Sequence, residues 1–374
     1  MKKQRIMLMS GYLGSGKTTS MTALAEYLNS VGKKACLITN DLGSNLVDTA
    51  YVNSHKIPVL EISNGCLCHD VDQLVEKIHI HMQKENPDIV IFEPVGSCVD
   101  MVEHVYKDMD RRFREDYVLA PVSAIVDPIR YREVYLEGKR GTDIGETAVA
   151  YGFCKQLEEA DLLLLNKMDL LSREDSAEIM ISLEKEFPGV PVIQISGLKR
   201  TNIDLWADYV LTHESSIRGL DIDMGLIMEG CEEMGWYNKV CTVETANAVD
   251  VHKFCEQYLS EIRKVFAEQN RQILHVKVNV EAKGKYLKAA LTNTKGTIQM
   301  TGTLKEFCGE GVINVNIRAL MLPKPLAELM EGTLERMLEK LDVHMKDNKL
   351  QSFLPVEEAP EPVETFESYR GGKG

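Results

Sequence analysis

The sequence predicts an α/β fold: a mainly parallel sheet with helices on both faces, followed by a smaller C-terminal α+β domain. Two observations predict it. From residue 5 to about residue 213, short apolar runs alternate with segments of helical periodicity, the pattern of right-handed crossovers between parallel strands. Beyond about residue 236, apolar and polar residues alternate at period two, as in an antiparallel sheet with one packed face. At 374 residues the chain also exceeds what one ordinary core organises.

In chain order, the first strands are expected at 5–10, 34–39, 58–62, 89–92, 123–126, 162–165 and 192–195. Helical periodicity lies between them, for example over 17–28, 71–83 and 173–187. The run LLLL at 162–165 fits a strand buried on both faces. Domain one is thus read as 1–213. Residues 214–235, acidic, Met-rich and poor in periodicity, read as a linker or docking segment. The second domain, 236–345, opens on the strand YNKVCTVE and a long amphipathic helix over 249–268. The strands ILHVKVNVEA, GKYLKAALTN and GVINVNIRAL follow, and a helix over 326–341 closes the domain. The tail, 346–374, is Pro/Glu/Gly-rich and is expected to be disordered.

Composition, 44% hydrophobic and 27% charged, is that of a globular protein. A net charge of -14 weighs against nucleic acid as a partner, because phosphate neutralisation needs a basic surface. The sequence carries no polybasic run for an anionic membrane, and no run of 18 apolar residues to cross one. MKKQRIMLMS runs straight into a glycine-rich motif with no cleavage site, so a cytoplasmic location is expected. The nine cysteines are scattered singly apart from Cys66 and Cys68, which suits reduced thiols rather than a disulfide scaffold.

GYLGSGKT at 11–18 matches G-x-x-x-x-G-K-[ST] between an expected strand and an expected helix. This is a P-loop, and with it the first domain reads as a P-loop NTPase. Gly11, Gly14 and Gly16 let the backbone N–H groups converge on a β-phosphate, with Ser15 and Thr19 completing the phosphate-binding set. Lys17 brings charge to the β- and γ-phosphates, Thr18 brings a hydroxyl to Mg²⁺, and the helix N-terminus adds its positive end. A glycine-rich turn without a ligand is the plainer alternative.

NKMD at 166–169 follows LLLL, where a P-loop protein carries its guanine reader. Asp169 can accept from guanine N1–H and the 2-amino group, which adenine cannot match, so the motif implies GTP. Asn166 and Lys167 belong to the same reader, and Ser196 in QISG would line the guanine pocket. Read plainly, NKMD is a polar strand-to-helix turn. EPVG at 93–96 follows DIVIF, where a metal-associated acid is expected. Glu93 is set to hold Mg²⁺ or polarise the attacking water, and Gly96 to offer its N–H to the γ-phosphate. Asp41, in TNDLG, is a second acid at a strand end; a turn or cap acid is the alternative.

EISNGCLCHD, at 61–70, also follows an expected strand. All these motifs fall beyond the carboxyl ends of strands, where open α/β sheets bind ligands. Residues i and i+2 of an extended segment point the same way, so Cys66 and Cys68 can converge on one ion. With His69 they give three ligands and an open position, suited to a metal that is handed on rather than to a closed structural zinc. Regulatory thiols or redox chemistry are the other readings. A Cys66–Cys68 disulfide would be strained. Cys98 is a remote fourth ligand, Cys36 a core residue, and Cys231 and Cys241 have no assigned role.

GYLGSGKTT, ITNDLG, EISNGCLCHD, FEPVG, AIVDP, QLEEADLLLLNKMDLL and QISG together resemble the CobW family of P-loop GTPases, relatives of UreG and HypB. The resemblance covers roughly residues 4–213, and Asp127 and Gln156 fall where the family pattern expects them. It implies slow GTP hydrolysis with Mg²⁺, coupled to delivery of a transition metal such as Zn²⁺ or Co²⁺ to a client metalloprotein. Alternatively it implies a GTPase that loads or reactivates a corrinoid (cobalamin)-dependent protein and has no metal cargo. A homodimer fits either. The family motif is G-C-x-C-C, so His69 here replaces its third cysteine. The family's histidine-rich loop is absent, His79 and His81 reading as ordinary surface histidines. No arginine finger or glutamine base is evident, which fits slow turnover.

Overall fold

In the computed structural model, the described residues are 3–40, 57–62, 71–294, 296–356 and 363. They fall into two compact units, one running to Ile227 and the other from Met228.

The first unit is an all-parallel sheet. Its strands are β1 (Gln4–Ser10), β2 (Ala35–Asn40), β3 (Val59–Ile62), β4 (Ile89–Glu93), β5 (Tyr117–Leu119), β6 (Ser123–Val126), β7 (Leu162–Leu165) and β8 (Val192–Gln194). The order is β3-β2-β4-β1-β6-β7-β8, and the short β5 pairs the start of β1 just below β6. The central strands are buried on both faces, and every residue of β7 is 0% exposed. Each fully buried Leu or Ile contributes roughly 1.5–3 kcal/mol, so these continuous apolar runs select the central positions. One face packs Met21, Leu24 and Leu28 of the helix Lys17–Ser30 with Ile203, Trp206 and Val210 of the helix Ile203–Thr212. The other packs Leu74, Val75 and Ile78 of the helix Val71–Glu85 with Val102, Val105 and Met109. Layers of helix on both faces are therefore as expected.

The second unit is an antiparallel sheet, built from β9 (Met234–Asp250), β10 (Ile273–Ala282), β11 (Lys285–Leu291), β12 (Gln299–Gly302), β13 (Glu306–Leu320) and β14 (His344–Phe353). Their order is β12-β11-β10-β13-β9-β14. Val276, Val278 and Val280 stand opposite Ile317, Val315 and Ile313. This face is covered by the helices Val251–Glu268 and Pro323–Lys340, through Phe254, Leu259, Leu326 and Leu334. Asp250 caps the first helix by accepting from Lys253 N, and Pro323 opens the second, where its missing N–H costs nothing. A buried pair, Lys239 Nζ to Glu331 Oε2 at 2.5 Å with Tyr237 Oη donating to Glu331 Oε1, ties that helix to β9.

Three expectations need correction. The tail read as disordered from residue 346 pairs with β9 as β14 through Phe353; Leu350 and Phe353 are buried there, two apolar residues outweighed on paper by the prolines beyond them. The stretch 214–235 is not all linker: Met224–Glu232 is a helix and β9 begins at Met234. His79 is not a surface histidine. It is half-buried, stacked on Phe113 at 4.1 Å and bonded to Tyr117 Oη at 2.8 Å.

Candidate functional site

The loop after β1 turns on three glycines in the left-handed region, Gly11 at φ 137°, Gly14 at 81° and Gly16 at 96°. A Cβ on Gly11 would lie 2.8 Å from the Ile125 carbonyl oxygen, and one on Gly16 2.6 Å from Asn166 Nδ2. Both the angle and the close approach therefore require glycine. The helix Lys17–Ser30 starts at Gly16 with no side-chain cap, so its first N–H groups face the loop's concavity. Among the described residues Ser15 Oγ is buried there without a hydrogen-bond partner, and Thr19 is half-buried in the first turn. A cradle of this shape, with an orphaned hydroxyl inside it, fits a nucleotide phosphate.

Glu93 ends β4, next to β1, and so meets this loop. Thr18 Oγ1 lies 3.2 and 3.1 Å from its two carboxylate oxygens. Lys17 Nζ donates to the Gly11 carbonyl at 2.6 Å and stands 3.8 Å from Glu93. A Cβ on Gly96 would be 3.0 Å from Lys17 Nζ and 2.8 Å from Leu13 Cδ2. The fold thus brings together the cation, the hydroxyl, the acid and the glycine picked from the sequence. Thr18 and Glu93 are hard oxygen donors of the kind Mg²⁺ takes.

On the other side of β1 the residues after β7 bolt onto the same loop. Asn166 Nδ2 donates to the Ser15 carbonyl at 2.8 Å, and Asn166 Oδ1 accepts from Gly197 N at 3.0 Å. Lys167, itself at φ 60°, sends Nζ to the Gly14 carbonyl at 2.8 Å and to Asp127 Oδ2 at 2.6 Å. The Asp169 carboxylate accepts from Ser196 Oγ at 2.6 Å, and that oxygen accepts from Lys199 N at 3.0 Å. Asp169 is therefore oriented, with its second oxygen left for a ligand to address.

Asp127 was singled out only by family pattern, yet the structure gives it a definite task. It caps the turn Pro128–Tyr131, with Oδ1 accepting from Arg130 N at 2.9 Å. Burial, the largest single influence, pushes its carboxyl up; Lys167, its hydrogen bond and the Arg130 N–H together outweigh that and hold it below the usual carboxylate range. An acid followed by proline at a strand's carboxyl end was the available signal. Gln156 is likewise placed on the loop of Gly96, with Nε2 donating to the Gly96 carbonyl at 3.2 Å and the Cys98 carbonyl at 2.7 Å. Arg130 lies over the ring of Tyr12 at 5.0 Å, a contact no sequence pattern announced.

Asp41, Cys66, Cys68 and His69 lie outside the described residues. Among the described residues, no group of three His, Cys, Asp or Glu side chains could hold a metal ion. Cys36 is buried in β2, as expected, and burial pushes its thiol up to about 11. Cys241 is buried in β9, its thiol likewise pushed up to about 12, which marks it as an inert core thiol. No helix of the described residues is long and apolar enough to cross a membrane.

A family model described as the CobW/HypB/UreG nucleotide-binding domain matches residues 5–194, just over half the chain. A zinc-regulated GTPase metalloprotein activator 1 from Dictyostelium discoideum is 30% identical over 200 residues, covering 46% of this chain and 42% of that protein. A zinc chaperone CobW from a Sinorhizobium species is 29% identical over 181 residues, covering 44% and 51%. The chain thus spans about half the length of these curated relatives. A crystal structure of Zn(II)-bound YjiA GTPase from E. coli aligns over 90% of this chain and 99% of that one, at 16% identity and a TM-score of 0.37.

Proposed function

Because the chain belongs to the CobW/HypB/UreG family of P-loop proteins, we propose that it is a GTP-binding switch that hydrolyses GTP slowly and couples hydrolysis to delivery of a transition metal to a client metalloprotein. The observation that carries the nucleotide half is the joint between the two motifs. Asn166 and Lys167 hold the carbonyls of Ser15 and Gly14, so the guanine reader and the phosphate cradle form one rigid piece.

In this reading the loop N–H groups and Lys17 hold the β- and γ-phosphates, and Asp169 pairs with the guanine edge. Thr18 and Glu93 would hold Mg²⁺, which when bound neutralises charge on the phosphate oxygens. Gly96 offers its N–H to the γ-phosphate, so that hydrolysis releases the segment it begins. Asp41 is a further acid for this step. Cys66, Cys68 and His69 carry the cargo metal through two thiolates and one imidazole, a borderline-soft set that suits zinc. The zinc in both relatives' names favours this over assistance to a corrinoid protein.

The test is a titration of Zn²⁺, Co²⁺ and Ni²⁺ into the protein with a GTP analogue, with GDP and without nucleotide, beside Cys66→Ser. Tight binding that depends on both nucleotide and Cys66 is expected. An affinity indifferent to both would remove the cargo and leave the corrinoid role as the better account.

A further inference from the structure

The helix Ile144–Glu158 touches three separate parts of the first unit within two turns of its length. On one side Gln156 gives both its amide hydrogens to the loop after β4, to the Gly96 and Cys98 carbonyls. One turn further, Glu159 Oε1 accepts from Val102 N at 2.6 Å, so the loop from Gly96 to Val102 is held at both ends. On another side the helix and its exit hold the segment that leads out of the unit. Tyr151 Oη accepts from Asp223 N at 2.7 Å, and the Glu158 carbonyl accepts from Arg218 at 2.6 Å. Asp161 accepts from Ser215 Oγ at 2.7 Å and Ser216 Oγ at 2.6 Å.

Between these sides lies Gly152. A Cβ there would meet Ile227 Cδ1 at 3.4 Å, Tyr12 Cε2 at 3.5 Å and Val99 Cγ1 at 3.9 Å. Tyr12 belongs to the phosphate loop, Val99 to the loop after Gly96, and Ile227 is the last residue of the first unit. All three are buried. The phosphate loop, the Gly96 loop and Ile227 therefore border the same point of this helix, and closely packed interiors shift as discrete rearrangements rather than by continuous yielding.

We propose that Gln156 is a positioning residue for GTP hydrolysis, and that its helix couples the Gly96 loop to the segment Arg218–Ile227, from which the chain enters its second unit. The proposal rests on the reading of this site as a GTPase. Gln156 touches neither nucleotide nor metal in this scheme. It fixes the carbonyls of Gly96 and Cys98, and so restrains the backbone immediately following the Gly96 N–H.

Two variants and one label test it on the full chain. Gln156→Glu keeps the shape but turns the donor into an acceptor, and Gln156→Leu removes the polar group. Both are expected to lower kcat for GTP at least about tenfold while KM and GDP affinity stay within about threefold, because misplacing a reacting group by a fraction of an ångström acts on kcat. Deuterium uptake at residues 215–227, which should differ between the GTP-analogue and GDP states of the wild type, should become alike in both variants. Ile227→Ala should keep hydrolysis and GDP affinity but lose that difference. Wild-type kcat in both Gln156 variants overturns the positioning role, and nucleotide-independent uptake at 215–227 in the wild type overturns the coupling. If the wild type itself neither binds nor turns over GTP, the functional reading falls first and takes this proposal with it.

Discussion

Lys167 Nζ lies 2.6 Å from Asp127 Oδ2 and 2.8 Å from the Gly14 carbonyl, so a buried ion pair braces the phosphate loop from behind. Removing one member of such a pair strands the other charge in the interior, which typically costs about 3–5 kcal/mol. Asp127→Ala is therefore expected to lower unfolding stability by about 3 kcal/mol. It should also weaken GDP and GTP binding together, since Lys167 loses its anchor. Urea unfolding and nucleotide titration read both; an unaltered midpoint and affinity would show that the pair contributes neither.

The pH dependence of that pair has a definite sign. Asp127 is held below its ordinary value, so its contribution is present above the unfolded pKa, near ~4, and is lost as pH falls through the folded value. The stability gap between wild type and Asp127→Asn should thus stay level from neutral pH down to about 4 and close below it. A gap that widens on acidification would contradict the assignment.

Asp169 is already fixed by Ser196 Oγ at 2.6 Å, so on the proposed reading it would meet a base without the cost of ordering itself. Asp169→Asn replaces an acceptor with a group that is half donor and leaves guanine's N–H groups unmatched. The preference for GTP over ATP should fall by about 100-fold or more, as for sites built to satisfy specific polar groups. Competition binding with both nucleotides measures it, and a retained preference would mean the guanine reader lies elsewhere.

Gly96 is not in the left-handed region, so its glycine is explained by space rather than by strain. Alanine there would press on Leu13 Cδ2 at 2.8 Å and Lys17 Nζ at 3.0 Å. Both are ends of flexible side chains and can move, but the added methyl crowds the segment proposed to offer its N–H to the γ-phosphate, which GDP lacks. Gly96→Ala should therefore bind GDP within about threefold of wild type and hydrolyse GTP about 10- to 100-fold more slowly. Equal losses in binding and turnover would point to a collapsed site instead.

The parts of this molecule most legible in the sequence are those where local chemistry and tertiary role coincide. LLLL fits a strand buried on both faces and is one, and GYLGSGKT turns on its glycines. β14 was missed because its apolar residues, Leu350 and Phe353, lie just before a proline-rich stretch, and pairing with β9 rather than local propensity decides it. β5 was missed because three residues carry no period, and only its parallel pairing with β1 makes it a strand. In the site, the residues that a ligand would touch were readable as motifs. Those that hold them act across distances of many residues: Gln156 on the Gly96 loop was reached only through the family pattern, and Arg130 over Tyr12 leaves no spacing to read.

Glu159 gives the sharpest test of how that supporting layer responds to pH. Burial, the largest cause, raises its carboxyl from 4.5 to about 7; the Val102 N–H pulls it back, and Asp100 and Asp161 push it further up. A carboxyl that is easier to protonate folded than unfolded stabilises the protein in full below its unfolded pKa. That stability is lost as pH rises through about 7. Glu159→Gln keeps an oxygen to accept from Val102 N and removes the titration. Wild type and variant should be closely matched near pH 4, and the variant should become the more stable by up to about 3 kcal/mol at pH 8. Asp100, also raised by burial, keeps that burial in both proteins. Thermal unfolding at half-unit steps from pH 4 to 8 makes the measurement, and a stability gap that stays constant across that range would mean that folding does not raise the Glu159 carboxyl.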